Sequence, residues 1–352
     1  MKKVFIIIDH FKFGGAERVA SIIANAMCDE CEVHALVVDP AQNYPVDKRV
    51  IIHILKNSKF HILRIFNRIF EYIQLSREIR PDVIFAFGNY VSMYACVCKK
   101  ILRDSTTFIA SERTDPTREP HSRMAVYLRN YAYKNADYLV CQTQWVKQYF
   151  EHLNISKRCV VIPNPISPNL PNWKGEDSNI IMTACRLESQ KNIPLLIEAF
   201  ALFHKKNPKY ILKIFGEGSL KKLLQKMVKE YDLEESIVFS GFSKEIMFEM
   251  TKAKMYVSTS NYEGISNSML EAIGIGVPIV HTDCPVGGAA MYVKDDENGF
   301  LVPVGDKDAI VAAMQKIVDC NLNSHTLNIS AQTLQKNLSS ERIANLWTNL
   351  AE

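Results

Sequence analysis

The sequence is short of several things, and each shortage closes off a class of protein. No apolar run approaches the ~20 residues that a membrane-spanning helix needs. The opening run from Val4 to Ile8 stops at Asp9, too soon for the hydrophobic region of a secretory signal. There is no low-complexity tract and no dense Lys/Arg run with interleaved aromatics, so nucleic acid is not an expected partner. The nine cysteines are scattered; Cys28 and Cys31 form a C-x-x-C and Cys96 and Cys98 a C-x-C. Neither has a second pair or a histidine at zinc spacing, so reduced thiols and a cytoplasmic location are expected. The G-x-G-x-x-G of a dinucleotide site is missing as well.

What is present describes a large folded chain. It has 352 residues, of which 47% are hydrophobic and 23% charged, too long for one ordinary core and therefore read as two domains. The net charge of +4 is unevenly spread, with +7 in residues 1–165 and −3 in the remainder. A basic first half favours an anionic partner there, either a phosphate-bearing substrate or a membrane surface.

Short apolar runs alternate with amphipathic stretches. Val4–Ile8, Val33–Val38, Val83–Phe87, Thr107–Ala110, Tyr138–Cys141 and Cys159–Ile162 read as buried strands, and residues 15–28 read as a helix through Val19, Ile22, Ile23 and Ala26. This alternation predicts a doubly wound parallel sheet. A turn-rich break follows, Asn164-Pro165-Ile166-Ser167-Pro168 and on to Gly175. The pattern then restarts with Ile180–Thr183, Tyr210–Phe215, Ile237–Phe239, Met255–Ser258, Pro278–Val280 and Gly299–Val302. The expected architecture is α/β, with a Rossmann-like domain over residues 1–165, a second over 166–335, and a closing helix within 336–352. Ligands of such sheets bind beyond the carboxyl ends of the strands, and two sets of ends facing one another would form a deep cleft.

Several loops at those ends carry candidate chemistry. In Cys185-Arg186-Leu187-Glu188-Ser189-Gln190-Lys191-Asn192 a strand gives way to a helix near Pro194, a residue tolerated in a first helical turn. Arg186 and Lys191 are either solvated loop cations or a diphosphate clamp, in which Arg forks two oxygens and Lys supplies a point charge. In the stretch Tyr262-Glu263-Gly264-Ile265-Ser266-Asn267 through Glu271, Gly264 permits unusual backbone geometry and Ser266 or Asn267 is a candidate helix N-cap. The helix start offers free amides to a phosphate. Glu263 and Glu271 lie eight residues apart, at most ~12 Å along a helix. That spacing suits neither a retaining nor an inverting hydrolase pair (~5 and ~6.5–9.5 Å); it fits two anchors on one elongated ligand.

Weaker signals complete the set. Gly14 and Gly15 open the first helix in Phe13-Gly14-Gly15-Ala16-Glu17-Arg18, where a backbone could approach a ligand closely, and Asp39 ends the second strand as a ribose acid would. Gly216-Glu217-Gly218 and Gly241-Phe242-Ser243 end two later strands and are turn signals first. Asp306-Lys307-Asp308 has a D-x-D spacing but precedes a helical stretch, so helix capping is expected there and no metal. Residues 59–80 repeat apolar positions at 62, 65, 66, 69 and 73, with Arg64 and Arg68 one turn apart. The stretch is either a core helix with a basic edge or a helix that rests on an anionic bilayer.

Taken in order, these pieces resemble glycosyltransferase family four, a retaining family with the two-Rossmann GT-B fold. The matching residues are Gly14 to Arg18, Arg186-Leu187 with Lys191-Asn192, Gly216-Glu217-Gly218, and Glu263 with Glu271 in an E-x7-E arrangement. Gly276 to Val280 and Asn298 to Val302 also match the family's later strands. The resemblance implies that Arg186 and Lys191 stabilise the diphosphate of a nucleotide-sugar donor, a UDP-sugar by family expectation, in place of a metal. Glu263 would contact the transferred sugar, the Gly264–Asn267 amides sugar and phosphate, and Glu271 the ribose. Gly14 and Gly15 would close on the diphosphate, and backbone near Phe242 and Ser243 would meet the base. It further implies a saccharide acceptor, lipid-linked in envelope polysaccharide assembly, and a location at the inner face of the membrane.

Two departures stand out. The histidine that many members carry after the fourth strand is absent from Ser111-Glu112-Arg113-Thr114-Asp115-Pro116, the first one downstream being His121. The loop from Cys284 to Met291 lacks the usual glutamate. The alternatives kept open are a GT-B binding protein without catalysis and a nicotinamide-dependent oxidoreductase.

Overall fold

A computed structural model describes residues 1–11, 14–39, 44–55, 61–102, 106–155, 158–320 and 322–351. Phe13 and residues 59–60, which belong to two of the stretches above, lie outside the described residues. The chain divides into two compact units, Met1–Pro165 with Leu338–Glu352, and Ile166–Asn337.

The first unit is built on seven parallel strands: β1 (Lys2–Ile7), β2 (Cys31–Val37), β3 (Ile51–Ile54), β4 (Val83–Phe87), β5 (Thr107–Ser111), β6 (Tyr138–Cys141) and β7 (Cys159–Val161). Their order is β3-β2-β1-β4-β5-β6-β7. The helices between them are α1 (Gly15–Met27), α2 (His61–Ile79), α3 (Asn89–Leu102), α4 (Arg123–Lys134) and α5 (Gln144–His152). β4 is buried along its whole length, as a strand covered on both faces must be. The edge strand β3 is partly exposed; its Ile-Ile-His-Ile gives too brief a signal to stand out in the sequence.

The second unit holds six parallel strands: β8 (Ile180–Ala184), β9 (Ile211–Phe215), β10 (Ile237–Gly241), β11 (Met255–Ser258), β12 (Ile279–Thr282) and β13 (Gly299–Val302), in the order β10-β9-β8-β11-β12-β13. Its helices are α6 (Ile193–Lys206), α7 (Lys221–Glu230), α8 (Ile246–Met250), α9 (Asn267–Ile275), α10 (Lys307–Cys320) and α11 (Ser324–Asn337). The core between sheet and helices includes Ile181, Leu196, Phe200, Leu212, Ile214, Val257 and Val280, all essentially inaccessible.

The final helix, α12 (Ser340–Thr348), belongs to the first unit, where it packs on α1. Trp347 is fully buried and meets Phe85 edge-on at 5.2 Å and Phe87 at 4.9 Å between ring centroids. Removing such a side chain costs about 3–5 kcal/mol. The last stretch of chain is therefore a structural part of the N-terminal sheet's packing. Among the described residues, no helix is long and apolar enough to cross a membrane.

Candidate active site

In the second unit, β8 and β11 lie side by side at the centre of the sheet, and the chain order runs outward from them in opposite directions. That is the switch point at which an open parallel sheet leaves a crevice beyond its carboxyl edge. The loops after β8 and β11 carry Arg186, Lys191 and Glu263, 72 residues separating the last two.

Lys191 Nζ forms an ion pair with Glu263 Oε1, and Ser260 Oγ donates to the same oxygen at 2.9 Å. Both charged side chains are largely buried. Burial pushes the Glu263 carboxyl up, but the Lys191 ammonium and the hydrogen bonds from Lys191 and Ser260 outweigh it and hold the group below the usual carboxylate range. The loops are stitched together around this pair. Thr259 Oγ1 lies within reach of the carbonyls of Lys191 and Asn192 at 3.2 and 3.0 Å. Asn192 Nδ2 donates to Asn261 Oδ1 at 3.0 Å, and Gln190 Nε2 to the Tyr262 carbonyl at 3.0 Å. Asn192 takes a left-handed φ of 47°, which Asn tolerates better than most residues, and the chain then enters α6 through Pro194 in its first turn. Arg186 is exposed, its Nη2 3.4 Å from Gln190 Oε1.

The loop after β11 leads into α9. Ser266 is the N-cap, its Oγ accepting from Met269 N at 3.4 Å, and Asn267 is the first helical residue. The Tyr256 hydroxyl lies 3.1 Å from the Ala184 carbonyl of β8 and 2.8 Å from Ser268 Oγ, so the helix start is registered against the strand whose following loop carries Arg186 and Lys191. Gly264 and Ile265 line the same turn and are buried, and Glu271 is buried in the helix. A Cβ on Gly288 would come 1.8 Å from the Gly264 carbonyl oxygen, so the loop after β12 lies directly against this turn.

Gly216 and Glu217 follow β9. A Cβ on Gly216 would stand 1.8 Å from the Cys185 carbonyl oxygen, at a φ of 123°. The glycine is thus required for the two loops to touch. Leu187 N donates to the Glu217 carbonyl at 2.9 Å, and Glu188 accepts from Ser219 N and Oγ at 2.9 and 2.7 Å. The Glu217 carboxylate pairs with Lys221 on the exposed side of α7. Phe242 is 45% exposed beyond β10, and Ser243 Oγ accepts from Glu245 N at 3.1 Å.

Gly14 and Gly15 belong to the first unit. The Gly14 backbone is held by Tyr44, whose hydroxyl accepts from Gly14 N at 3.3 Å and lies 3.2 Å from its carbonyl. A Cβ on Gly14 would overlap the Glu17 carboxylate, 1.9 Å from Oε2.

Sequence reasoning missed three side chains beside the ion pair: Ser260, His281 and Cys284. His281, the last residue but one of β12, is fully buried, with Nδ1 2.8 Å from the Thr282 carbonyl; burial holds its pKa down, so the ring is neutral at neutral pH. The Cys284 thiol lies 3.4 Å from the Ser260 carbonyl, and burial pushes it up to about 12. The only sequence signal for them is position, at the carboxyl ends of β11 (Ser260) and of β12 beside it (His281 and Cys284). Asp306 proves to be a cap, Oδ1 accepting from Ala309 N at 2.9 Å.

The chain is similar to known proteins along its length. The profile described as Glycosyltransferase Family 4 matches residues 13–170, and that described as Glycosyl transferases group 1 matches residues 171–334. The chain is a glycosyltransferase with the two-Rossmann GT-B fold, and it belongs to glycosyltransferase family four. It is 26% identical, over 98% of each chain, to the Campylobacter jejuni N-acetylgalactosamine-N,N'-diacetylbacillosaminyl-diphospho-undecaprenol 4-alpha-N-acetylgalactosaminyltransferase. It is 28% identical, over 90% of each chain, to the amylovoran biosynthesis glycosyltransferase AmsD of Erwinia amylovora. Among solved structures, Anabaena HepE with UDP and glucose superposes with a TM-score of 0.83 at 17% identity, over 99% of each chain.

Proposed function

We propose that this glycosyltransferase moves a hexosyl or N-acetylhexosaminyl group from a UDP-sugar to a lipid-linked saccharide, with retention and without a metal, during envelope polysaccharide assembly. The observation that carries the proposal is the Lys191–Glu263 pair at the switch point of the second unit. As the anomeric bond breaks, negative charge grows on the leaving diphosphate. Cations fixed beside it stabilise that charge more than the ground state. Lys191 and the exposed Arg186 supply those cations, and the start of α9 supplies amides. Glu263, held as a carboxylate, accepts from hydroxyls of the transferred sugar, and Glu271 from the ribose. The acceptor attacks on the face the diphosphate leaves, and a donor phosphate oxygen takes its proton.

The donor class is supported by the Anabaena structure with UDP and glucose, and the acceptor class by the diphospho-undecaprenol substrate in the Campylobacter enzyme's name. A bilayer contact through α2, at the inner face of the membrane, fits the 65% and 68% exposure of Phe66 and Phe70. Thermal shift against UDP, GDP, ADP and NAD tests the donor, and stabilisation by NAD alone would overturn the reading. Transfer from radiolabelled UDP-sugars to an undecaprenyl-diphosphate saccharide, lost in Glu263→Ala and Lys191→Ala, tests the reaction. NMR of the product anomer tests retention, activity in EDTA tests metal independence, and co-sedimentation with anionic liposomes tests the membrane contact.

A further inference from the structure

The turn that leaves β5 in the first unit contains several buried polar atoms that no described residue satisfies. Glu112 is fully buried and fixes the turn: its Oε1 accepts from Arg113 N at 2.9 Å, Thr114 N at 3.1 Å and Thr114 Oγ1 at 3.0 Å. Its Oε2 lies 3.8 Å from Arg129 Nη1. Arg129 in turn clamps the following residues, donating to the carbonyls of Pro116 and Glu119 at 2.9 and 2.8 Å. The backbone that carries Arg113 is therefore rigid.

The Arg113 side chain is not matched to this frame. The residue is only 9% exposed, and Nη2 donates to Asn164 Oδ1 at 2.7 Å. Its Nε and Nη1 meet no acceptor, and neither Asp115 Oδ2 nor Ser111 Oγ has a partner. With Arg129 Nη2, five of the eleven buried side-chain polar atoms that lack a partner among the described residues come from this turn and the helix behind it. Native proteins leave few such groups, and a cluster marks a place where something else binds. Burial lowers the Arg113 pKa to about 10, which leaves it a cation at neutral pH. The neighbouring Glu112 carboxylate acts on it through space and supplies no acceptor to Nε or Nη1; a buried charge so incompletely matched is costly, and an arginine with open hydrogens is matched best by phosphate oxygens.

We infer that Arg113, at the carboxyl edge of the first unit's sheet, anchors a phosphate group, with Asp115 accepting from a hydroxyl on the same ligand. The side chain turns outward past the half-exposed Thr114 to meet it. The phosphate has two possible sources, the donor diphosphate and the diphosphate of a lipid-linked acceptor, and the proposed function is used only to choose the probes. Calorimetric titrations of the full chain with UDP, and with farnesyl diphosphate at saturating UDP, separate the sources.

Arg113→Lys keeps the charge and the fold while losing the guanidinium geometry, and Arg113→Met removes the charge. A hydrogen bond to a charged group corresponds to about a tenfold loss or more. Weakening of that size in both variants in the UDP arm assigns the donor, and in the farnesyl diphosphate arm the acceptor. Unchanged binding of both probes in Arg113→Lys, with an unchanged melt, would mean that the open groups are met by ordered water only and would overturn the inference. If wild type ignores UDP, the donor reading fails; Arg113-dependent farnesyl diphosphate binding, titrated then without UDP, would still stand.

Discussion

Replacing Lys191 by methionine removes the cation that pairs with the buried carboxylate of Glu263. Glu263 keeps the Ser260 hydroxyl, but desolvation, already its largest single influence, is no longer outweighed by Lys191 and raises its pKa. Breaking a buried pair from one side costs about 3–5 kcal/mol, and a loss of about 3 kcal/mol lowers the melting temperature of a unit this size by roughly 6–12 °C. The cost depends on pH in a defined direction. In the wild type the folded pKa of Glu263 is depressed, so its contribution is present above the unfolded value and is lost as pH falls through the folded one. In the variant the folded pKa is raised, so the penalty is full above it and is relieved as pH falls through it; melts at a neutral and at an acidic pH read the direction. The melting difference between wild type and Lys191→Met, followed by scanning fluorimetry, is therefore large near neutrality and shrinks on acidification. The double variant Lys191→Met/Glu263→Gln, which has no charge to bury, recovers most of the loss at neutral pH. Equal destabilisation at both pH values, or a double variant as unstable as the single one, would refute the reasoning.

Other contacts give simpler expectations. Gly216→Ala forces a Cβ to 1.8 Å from the Cys185 carbonyl, so the two loops separate; proteolysis at 186–191 accelerates, transfer falls at least about tenfold, and the stability loss is about 1–3 kcal/mol. Ser266→Ala removes the α9 cap and costs about 1 kcal/mol in a denaturant titration. Trp347→Ala lowers stability by about 3–5 kcal/mol, and the loss falls on the first unit, seen as faster amide exchange in β4.

Most of the strand positions, and with them the placing of Arg186, Lys191 and Glu263 in loops that follow strands, were legible because parallel strands buried on both faces read as continuous apolar runs. A cap at Ser266 or Asn267, of which the structure uses Ser266, and a cap at Asp306 followed from side-chain oxygens placed just before helical periodicity. β3 was not legible, because four residues at a half-exposed edge carry neither alternation nor a full apolar run. His281 and Cys284 were hidden for a different reason. A histidine after two aliphatic residues in a strand looks like any interior polar residue until β12 is known to lie beside β11. Likewise, Gly216 read as a flexible turn, whereas its requirement comes from the Cys185 backbone 31 positions earlier in the sequence.

The same dependence on distant partners changes what Lys191 means. From the sequence it is a loop cation available to a diphosphate. In the folded unit it already has an anion, and that anion would be an uncompensated buried charge without it. A donor diphosphate that takes Lys191 must therefore leave Glu263 matched, which the hydroxyls of an incoming sugar can do by donating to its free lone pairs. On the proposed function, nucleotide and sugar would then have to arrive together: UDP alone would gain Lys191 only by stranding Glu263 and would engage the ammonium weakly, while an intact UDP-sugar would engage it fully. Lys191→Ala consequently weakens UDP-sugar binding by a larger factor than UDP binding in parallel titrations. A residue that acted only as a point charge for phosphate would weaken both by the same factor.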